Sequence, residues 1–112
     1  MRLQPILYTA DIDRQISWWA SVLGHEPTYR SDTWTTFGAG DATLALHHVD
    51  VLPSPGRMAI SLIADGSLDD IVAALHGRDV TGIGDISDQP FGRQLTLRDP
   101  DGNVVQVNEH RS

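Results

Sequence analysis

The segment QPILYTAD at residues 4–11 returns as MAISLIAD at residues 58–65, and an amphipathic pattern follows each copy. A repeat of this kind indicates two modules of the same architecture. A length of 112 residues corresponds to one domain of ordinary size, so we expect both modules to belong to a single domain, 1–112.

Each copy of the repeat predicts one helix. After the first copy, apolar residues recur at helical spacing, with Asp11 as the N-cap and Gly24 as the stop. After the second copy, the same spacing predicts a helix that is capped by Ser67 or Asp65 and ended by Gly77.

A hairpin is expected after each helix, because alternating apolar and polar residues flank a turn sequence in both modules. In the second module that sequence is Asp-Pro-Asp-Gly, the pattern of a type I turn. The ranges of strand, turn and strand are 34–37, 38–41 and 42–47 in the first module, and 94–98, 99–102 and 103–108 in the second.

These elements predict an α+β fold of two βαβββ modules, 1–50 and 57–112, joined by a linker at 51–56 that holds two prolines and a glycine. We expect the strands to form a curved, partly open mixed sheet, with one helix packed on the outer face of each module. The face that the helices leave uncovered is where function is expected.

Composition excludes several functions. The chain has no cysteine and no lysine, so it has no thiolate nucleophile, no Cys-ligated metal, no lysine Schiff base and no phosphate-loop lysine. The net charge of −7 disfavours nucleic acid as a partner. The longest apolar runs are far shorter than a membrane span and no secretory signal is evident, so no membrane partner and a cytoplasmic location are expected.

Candidate ligand-binding residues follow from strand alternation. If both hairpin turns have four residues, Leu44 and Leu46 face the helix, while Trp34 and His47 face the open side. A slip of one residue would invert such an assignment. The predicted ligand-binding set is Gln4, Ile6, Tyr8, Trp34, His47, Met58, Ile60, Leu95, Gln106 and Asn108, a mostly apolar and aromatic lining with a few amides.

Two further segments, ISWWASVLG at 16–24 and LRDPDGNVVQV at 97–107, complete a pattern that resembles the vicinal oxygen chelate superfamily. That superfamily includes glyoxalase I, extradiol dioxygenases, fosfomycin-resistance transferases and bleomycin-binding proteins. The resemblance covers nearly the whole chain and implies the fold, but it does not select one chemistry, because the scaffold serves isomerases, oxygenases, transferases and binding proteins.

The resemblance also implies where a metal would be held: at the start of each first strand and at an acidic position in each last strand. Gln4, Met58, Ala45 and Gln106 stand at those positions, and none is histidine or carboxylate. No metal and no other cofactor is therefore predicted, and no catalytic residue is assigned. A shifted site of Gln4, His47 and Gln106, or one that borrows Glu109 or His110, stays open.

Other polar residues have simpler predicted roles. His47 and His48 are neighbours on a strand and point to opposite faces, so they cannot share one ion. Asp99 and Asp101 are expected to stabilise a turn. Arg93 would meet either an anionic ligand or a nearby aspartate such as Asp88.

The sequence thus predicts a metal-free protein that binds a small organic molecule, similar in type to bleomycin-resistance proteins and suited to a planar or cationic antibiotic-like compound. The alternative is a metal-dependent glyoxalase-like lyase or isomerase, or a dioxygenase, with an atypical ligand set. A homodimer is expected, with module pairing either within a chain or across subunits.

Overall fold

The computed structural model describes residues 4–51 and 59–111, which group into two compact units, Met1–Pro55 and Gly56–Ser112. The predicted linker at 51–56 and the residue Met58 lie almost wholly outside the described residues. The first unit contains β1 (Ile6–Thr9), α1 (Ile12–Leu23), β2 (Tyr29–Arg30), β3 (Trp34–Ala39) and β4 (Ala42–His48). The second contains β5 (Ala59–Ile63), α2 (Leu68–Gly77), β6 (Ile83–Gln89), β7 (Gly92–Arg98) and β8 (Val104–His110).

Each unit is a βαβββ module built on a four-stranded mixed sheet. The strand orders are β1-β4-β3-β2 and β5-β8-β7-β6. The first strand of each unit pairs in parallel with the last, and the other neighbours are antiparallel. The predicted α+β fold of two repeated modules is therefore confirmed. No helix in the described ranges is both long and apolar enough to cross a bilayer.

The helix boundaries follow the capping residues. Asp11 accepts a hydrogen bond from the Arg14 backbone N–H, and Gly24 ends α1 in the left-handed conformation, with φ of 78°. In the second unit Ser67 is the N-cap of α2 and accepts from the Asp69 backbone N–H. Gly77 is the last residue of α2 and not the residue after it, because the turn that closes the helix runs through Arg78.

In each unit the helix covers one face of the sheet, and the core of that unit lies between its helix and its sheet. In the first unit the covered face is mostly apolar, and α1 packs against β4. In the second unit α2 packs against β7 and β8. The buried sheet residues on these faces are Leu7, Thr9, Thr35, Phe37, Leu44 and Leu46 in the first unit, and Leu95, Leu97, Val105 and Val107 in the second.

The first hairpin has a two-residue turn in place of the predicted four-residue turn. Ala39 pairs with Ala42, and Gly40 has φ of 59°, as the first central residue of a type II′ turn requires. The register is displaced by two residues from the prediction, so Trp34 lies opposite His47 and not Ala45. A shift of two residues keeps every side chain on its predicted face.

The second hairpin is displaced by one residue, and this changes the faces. Five residues, 99–103, connect β7 to β8, because Asn103 belongs to the turn. Its backbone N–H and side-chain amide both donate to the Asp99 carboxylate, at 2.7 and 2.9 Å. Asp99 is buried and also accepts from the Asp101 backbone N–H, which confirms its turn role. Leu95 consequently pairs with Val107 on the helix-covered face, so its predicted open-face position is wrong.

The first strand of the second unit is also out of phase with the prediction. Ile60 pairs with Val105 and Leu62 pairs with Val107, which places them on the helix-covered face, while Ser61 faces the open side. The prediction for Ile60 is therefore wrong. It aligned the two Ala-Asp pairs, but β1 is joined to α1 by two residues, 10–11, and β5 to α2 by four, 64–67.

Candidate functional site

Three rings meet on the open face of the first sheet. The centroid of the His47 ring lies 5.5 Å from that of Tyr8 and 5.7 Å from that of Trp34. The Trp34 and His47 planes are inclined at 67°, an edge-to-face arrangement, and the Tyr8 and His47 planes at 40°. Tyr8 is 42% exposed, and Trp34 and His47 are half-buried, so this aromatic cluster is accessible to a ligand.

Strand pairing explains why these rings meet. His47 of β4 lies between Tyr8 of β1 and Trp34 of β3 in the sheet, and all three face the same side. One row further along, Ile6 and Thr36 flank Ala45, whose small side chain is fully buried.

Two more predicted or possible contributors lie near the margins of the first sheet. One residue, Pro5, separates the exposed Gln4 from β1. Tyr29 pairs with Thr36, which puts it on the open face at the edge strand β2, where it is also exposed. Sequence reasoning did not find Tyr29, because β2 has only two residues and shows no alternation.

Amide and hydroxyl groups occupy the open face of the second sheet. The Gln94 side-chain amide donates to the Asn108 carbonyl oxygen at 2.9 Å, and the Asn108 amide donates to the Ser61 hydroxyl at 2.7 Å. We call Gln94, Asn108 and Ser61 the amide chain. Gln106 lies on the same face, between Thr96 of β7 and Ser61 of β5.

The structure thus gathers the predicted site residues into separate groups. Ile6, Tyr8, Trp34 and His47 share the open face of the first sheet, and Gln106 and Asn108 share that of the second. Ile60 and Leu95 face the helix, and Leu95 is 0% exposed. The missed members are Gln94 and Ser61. Ser61 is recognisable in the sequence as a polar residue between the apolar Ile60 and Leu62, whereas Gln94 follows Arg93 and shows no such pattern.

Charged groups of the second unit gather beside the α2 N-terminus, on the helix-covered side. The Arg93 guanidinium lies 3.0 Å from the Glu109 carboxylate and 3.2 Å from that of Asp69. Of the two predicted alternatives, it therefore meets a nearby aspartate, which is Asp69 and not the example Asp88. Glu109 also accepts a 2.6 Å hydrogen bond from the Leu68 backbone N–H. That hydrogen bond, with the one from Arg93, holds the pKa of Glu109 below its ordinary value. The same two carboxylates raise the pKa of Arg93, so this cluster is internally paired.

A shallow depression of about 390 Å³ adjoins that cluster. Its lining is Ile63, Ala64, Gly66, Ser67, Glu109 and His110. The Glu109 carboxylate already bonds the helix terminus and Arg93, and His110 stacks on Phe91 with ring centroids 5.1 Å apart. Among the residues that the structure describes, none of the predicted ligand-binding set lines this depression.

The residues at the expected metal positions do not fit a divalent cation. Ala45 supplies no donor atom, and the neighbours of Gln106 on its face are the hydroxyls of Thr96 and Ser61. Among the described residues, no three His, Asp or Glu side chains come together as a metal site would require. Glu109 points away from Gln106, into its ion pair, and is not free to join such a site.

A sequence comparison identifies the family of this chain. The family described as the Glyoxalase/Bleomycin resistance protein/Dioxygenase superfamily matches residues 2–107. The chain belongs to this superfamily. This confirms the resemblance derived from the repeat and the closing hairpin. A comparison with curated protein sequences found no significant match.

Solved structures with the same fold cover nearly the whole chain. A glyoxalase/bleomycin resistance protein from Catenulispora acidiphila superposes with a TM-score of 0.82 at 24% identity, covering 99% of both chains. A bleomycin resistance determinant encoded on transposon Tn5 has a TM-score of 0.80 at 18% identity, covering 100% of this chain and 99% of that one. A bleomycin-binding protein from Streptomyces verticillus, complexed with copper(II)-bleomycin, has a TM-score of 0.78 at 18% identity, covering 99% and 97%. At these identities the likeness establishes the fold.

Proposed function

We propose that this superfamily member is a metal-free small-molecule binding protein, and that a planar, uncharged or cationic part of its ligand packs against the aromatic cluster. The observation that carries the proposal is the meeting of Tyr8, His47 and Trp34 on an accessible sheet face. The core of this unit lies on the other face of the sheet. The three rings are therefore available to bury a ligand and are not needed to fill the core.

The chemistry of the cluster supports a flat ligand. A tryptophan face attracts planar and cationic groups, and each such contact contributes about 0.5–2 kcal/mol. Tyr8 and His47 each combine an apolar ring with a hydrogen-bonding tip, which lets them orient a ligand as well as bury it. The net charge of −7 adds a modest attraction for cations.

Bleomycin is the first ligand to test, because similar structures are of bleomycin-binding proteins. We expect calorimetric titration to detect binding, and the variant Trp34→Ala to weaken it about tenfold, or ~1.4 kcal/mol. Trp34→Phe keeps a ring at the same place and should retain most of the affinity. Circular dichroism checks that both variants are folded. Equal affinities for the wild type and Trp34→Ala would contradict the proposal.

Panels of other planar compounds extend the same test if bleomycin does not bind. Trp34 is half-buried, whereas Trp18 and Trp19 are buried, so a ligand on the cluster should quench mainly the Trp34 fluorescence. Comparing quenching in the wild type and in Trp34→Phe isolates that signal. A panel that produces no Trp34-dependent quenching would count against ligand binding at this face.

The metal-free part of the proposal is tested separately. Protein treated with chelator is mixed with nickel, zinc, manganese or iron, and its thermal transition is measured. Bleomycin is left out of this experiment, because it carries copper in one similar structure. We expect no stoichiometric binding and no rise in Tm. A stoichiometric metal with a large rise would favour a metal-dependent lyase, isomerase or dioxygenase instead.

We also propose that the protein is a homodimer, as an uncovered sheet face in each module favours burial against a second copy. Native mass spectrometry of freshly purified protein reports the subunit number and any retained small molecule together. A monomer at micromolar concentration would contradict the dimer without affecting the ligand proposal.

A further inference from the structure

Around Gln106, strands β5, β7 and β8 place amide and hydroxyl side chains on the open face of the second sheet. Gln94 and Thr96 of β7, Gln106 and Asn108 of β8, and Ser61 of β5 all point to this side. The nearest charged pair on the same strands, Arg93 and Glu109, faces the helix and is mutually bonded. At the ends of the face, Arg98 donates to the Gly102 carbonyl and His110 stacks on Phe91.

The hydrogen bonds of the amide chain hold the side chains of Asn108 and Ser61 in place. Asn108 is only 9% exposed, and its carbonyl and amide groups are each engaged, with Gln94 and with Ser61. Turning both amides by 180° would reverse each donor and acceptor and still satisfy both contacts, because a hydroxyl can donate or accept. In either arrangement the Ser61 hydroxyl uses one of its hydrogen-bonding positions on Asn108 and can make a further hydrogen bond to a group outside the amide chain.

The side-chain amide of Gln106 differs from those of Gln94 and Asn108 in its hydrogen bonding. Within residues 4–51 and 59–111 its side chain makes no hydrogen bond to another protein group, and it is half-buried. It therefore presents a carbonyl oxygen and an NH₂ group side by side, between the hydroxyl-bearing neighbours Thr96 and Ser61. A primary amide in this setting is complementary to another donor and acceptor side by side.

From this arrangement we infer that Gln106 recognises a lactam-like or amide-like edge of an uncharged ligand, by two parallel hydrogen bonds, with the Ser61 hydroxyl as a flanking contact held by Asn108. The inference deepens the proposed function and rests only on its small-molecule binding part, since it assigns the chemistry of a ligand at this face and does not require the aromatic cluster. A carboxylate at this position would favour a cation, whereas the amide pairs with a neutral group and leaves no buried charge unbalanced.

A fragment titration followed by NMR tests the inference. The probe is 2-pyridone, a flat lactam with adjacent N–H and C=O groups, added up to about 10 mM, a range suited to fragment-sized ligands. We expect it to shift the Gln106 side-chain NH₂ resonances most, and those of Asn108 by a smaller amount. N-methyl-2-pyridone has the same shape without the donor, and we expect it to bind at least tenfold more weakly.

Variants locate the contact. Gln106→Glu is nearly isosteric and should weaken 2-pyridone binding at least tenfold, and Ser61→Ala should weaken it two- to fivefold. Ser17→Ala, on the exposed face of α1, is the matched control and should have no effect. Because Gln106→Glu could perturb folding, its backbone amide spectrum is compared with the wild type, and Ser61→Ala provides a second reading.

The outcomes separate this inference from the proposed function. Equal binding of the two pyridones, or 2-pyridone shifts that appear only around Trp34, would overturn the inference and leave ligand binding at the aromatic cluster intact. Binding of 2-pyridone at Gln106 without any Trp34-dependent ligand would support the inference and contradict the aromatic-cluster proposal. The absence of any 2-pyridone shift would overturn the inference.

Discussion

The two units share a topology and differ in what they present on the open face. Both place a helix over a mostly apolar sheet face and pair the first strand in parallel with the last. The first unit presents three rings, Tyr8, His47 and Trp34, and the second presents amides and hydroxyls around Gln106. The comparison teaches that the covered face maintains the shared fold, while the open face differs in chemistry between the two units.

The largest expected effect on stability is the difference between substitutions on the two faces of β7. Leu95→Ala should lower the free energy of unfolding by about 2–5 kcal/mol, because it leaves a cavity on the covered face of the second unit. Its neighbour Thr96→Ala, on the open face, should change stability by less than about 0.5 kcal/mol. Urea denaturation measures both, and similar losses would break the assignment of faces.

The next effect distinguishes the two hairpin turns. Asp99→Ala removes three hydrogen bonds from a buried carboxylate and should cost about 2 kcal/mol in the free energy of unfolding. Asp41→Ala, in the first hairpin, is the matched control. Asp41 is exposed, and none of the hydrogen bonds in the described ranges involves its carboxylate, so thermal denaturation should register almost no change.

A smaller effect is expected at the first turn, where the backbone and not a side chain decides the geometry. Gly40 has φ of 59°, and a Cβ there would meet no neighbouring atom within 4 Å. Gly40→Ala should therefore cost only the backbone strain, about 1 kcal/mol. Gly66→Ala has equal space and no positive φ, so a comparable loss in that variant would show that the turn is not the cause.

The smallest effect concerns the ion cluster that only the second unit carries. Glu109 has a lowered pKa, so its ionised form stabilises the fold above the ordinary value of 4.5, and that contribution is lost as the pH falls through the lowered pKa. Glu109→Gln should lower Tm slightly at pH 7, and the difference from the wild type should shrink as the pH falls through the lowered pKa of Glu109. A difference that persists unchanged in acid would indicate packing and not charge.

Much of the architecture could be predicted from local patterns. Asp11, Gly24 and Ser67 mark helix ends because capping is a short-range interaction between a side chain and the next backbone groups. Trp34 and His47 were placed on the open face correctly even though the hairpin register was displaced, because a displacement of two residues does not change the face.

The errors lie where one residue decides the outcome. Leu95 was placed on the wrong face because the turn after β7 includes Asn103, and only the bonds to the Asp99 carboxylate reveal that. Ile60 was misplaced because the repeat was aligned on its Ala-Asp pairs across connections of unequal length. The polar Ser61 between Ile60 and Leu62 was the signal that could have corrected it.

By itself, the amino-acid sequence determined the duplicated βαβββ modules, the helix caps and the superfamily, because those depend on spacing and on contacts between near neighbours. Only the tertiary structure decided that three rings meet around His47, that Asn108 is held between Gln94 and Ser61, and that the Gln106 amide has no hydrogen-bond partner among the described residues. These features join strands that are distant in the chain, and the pairing register that brings them together depends on turn hydrogen bonds that no local pattern encodes.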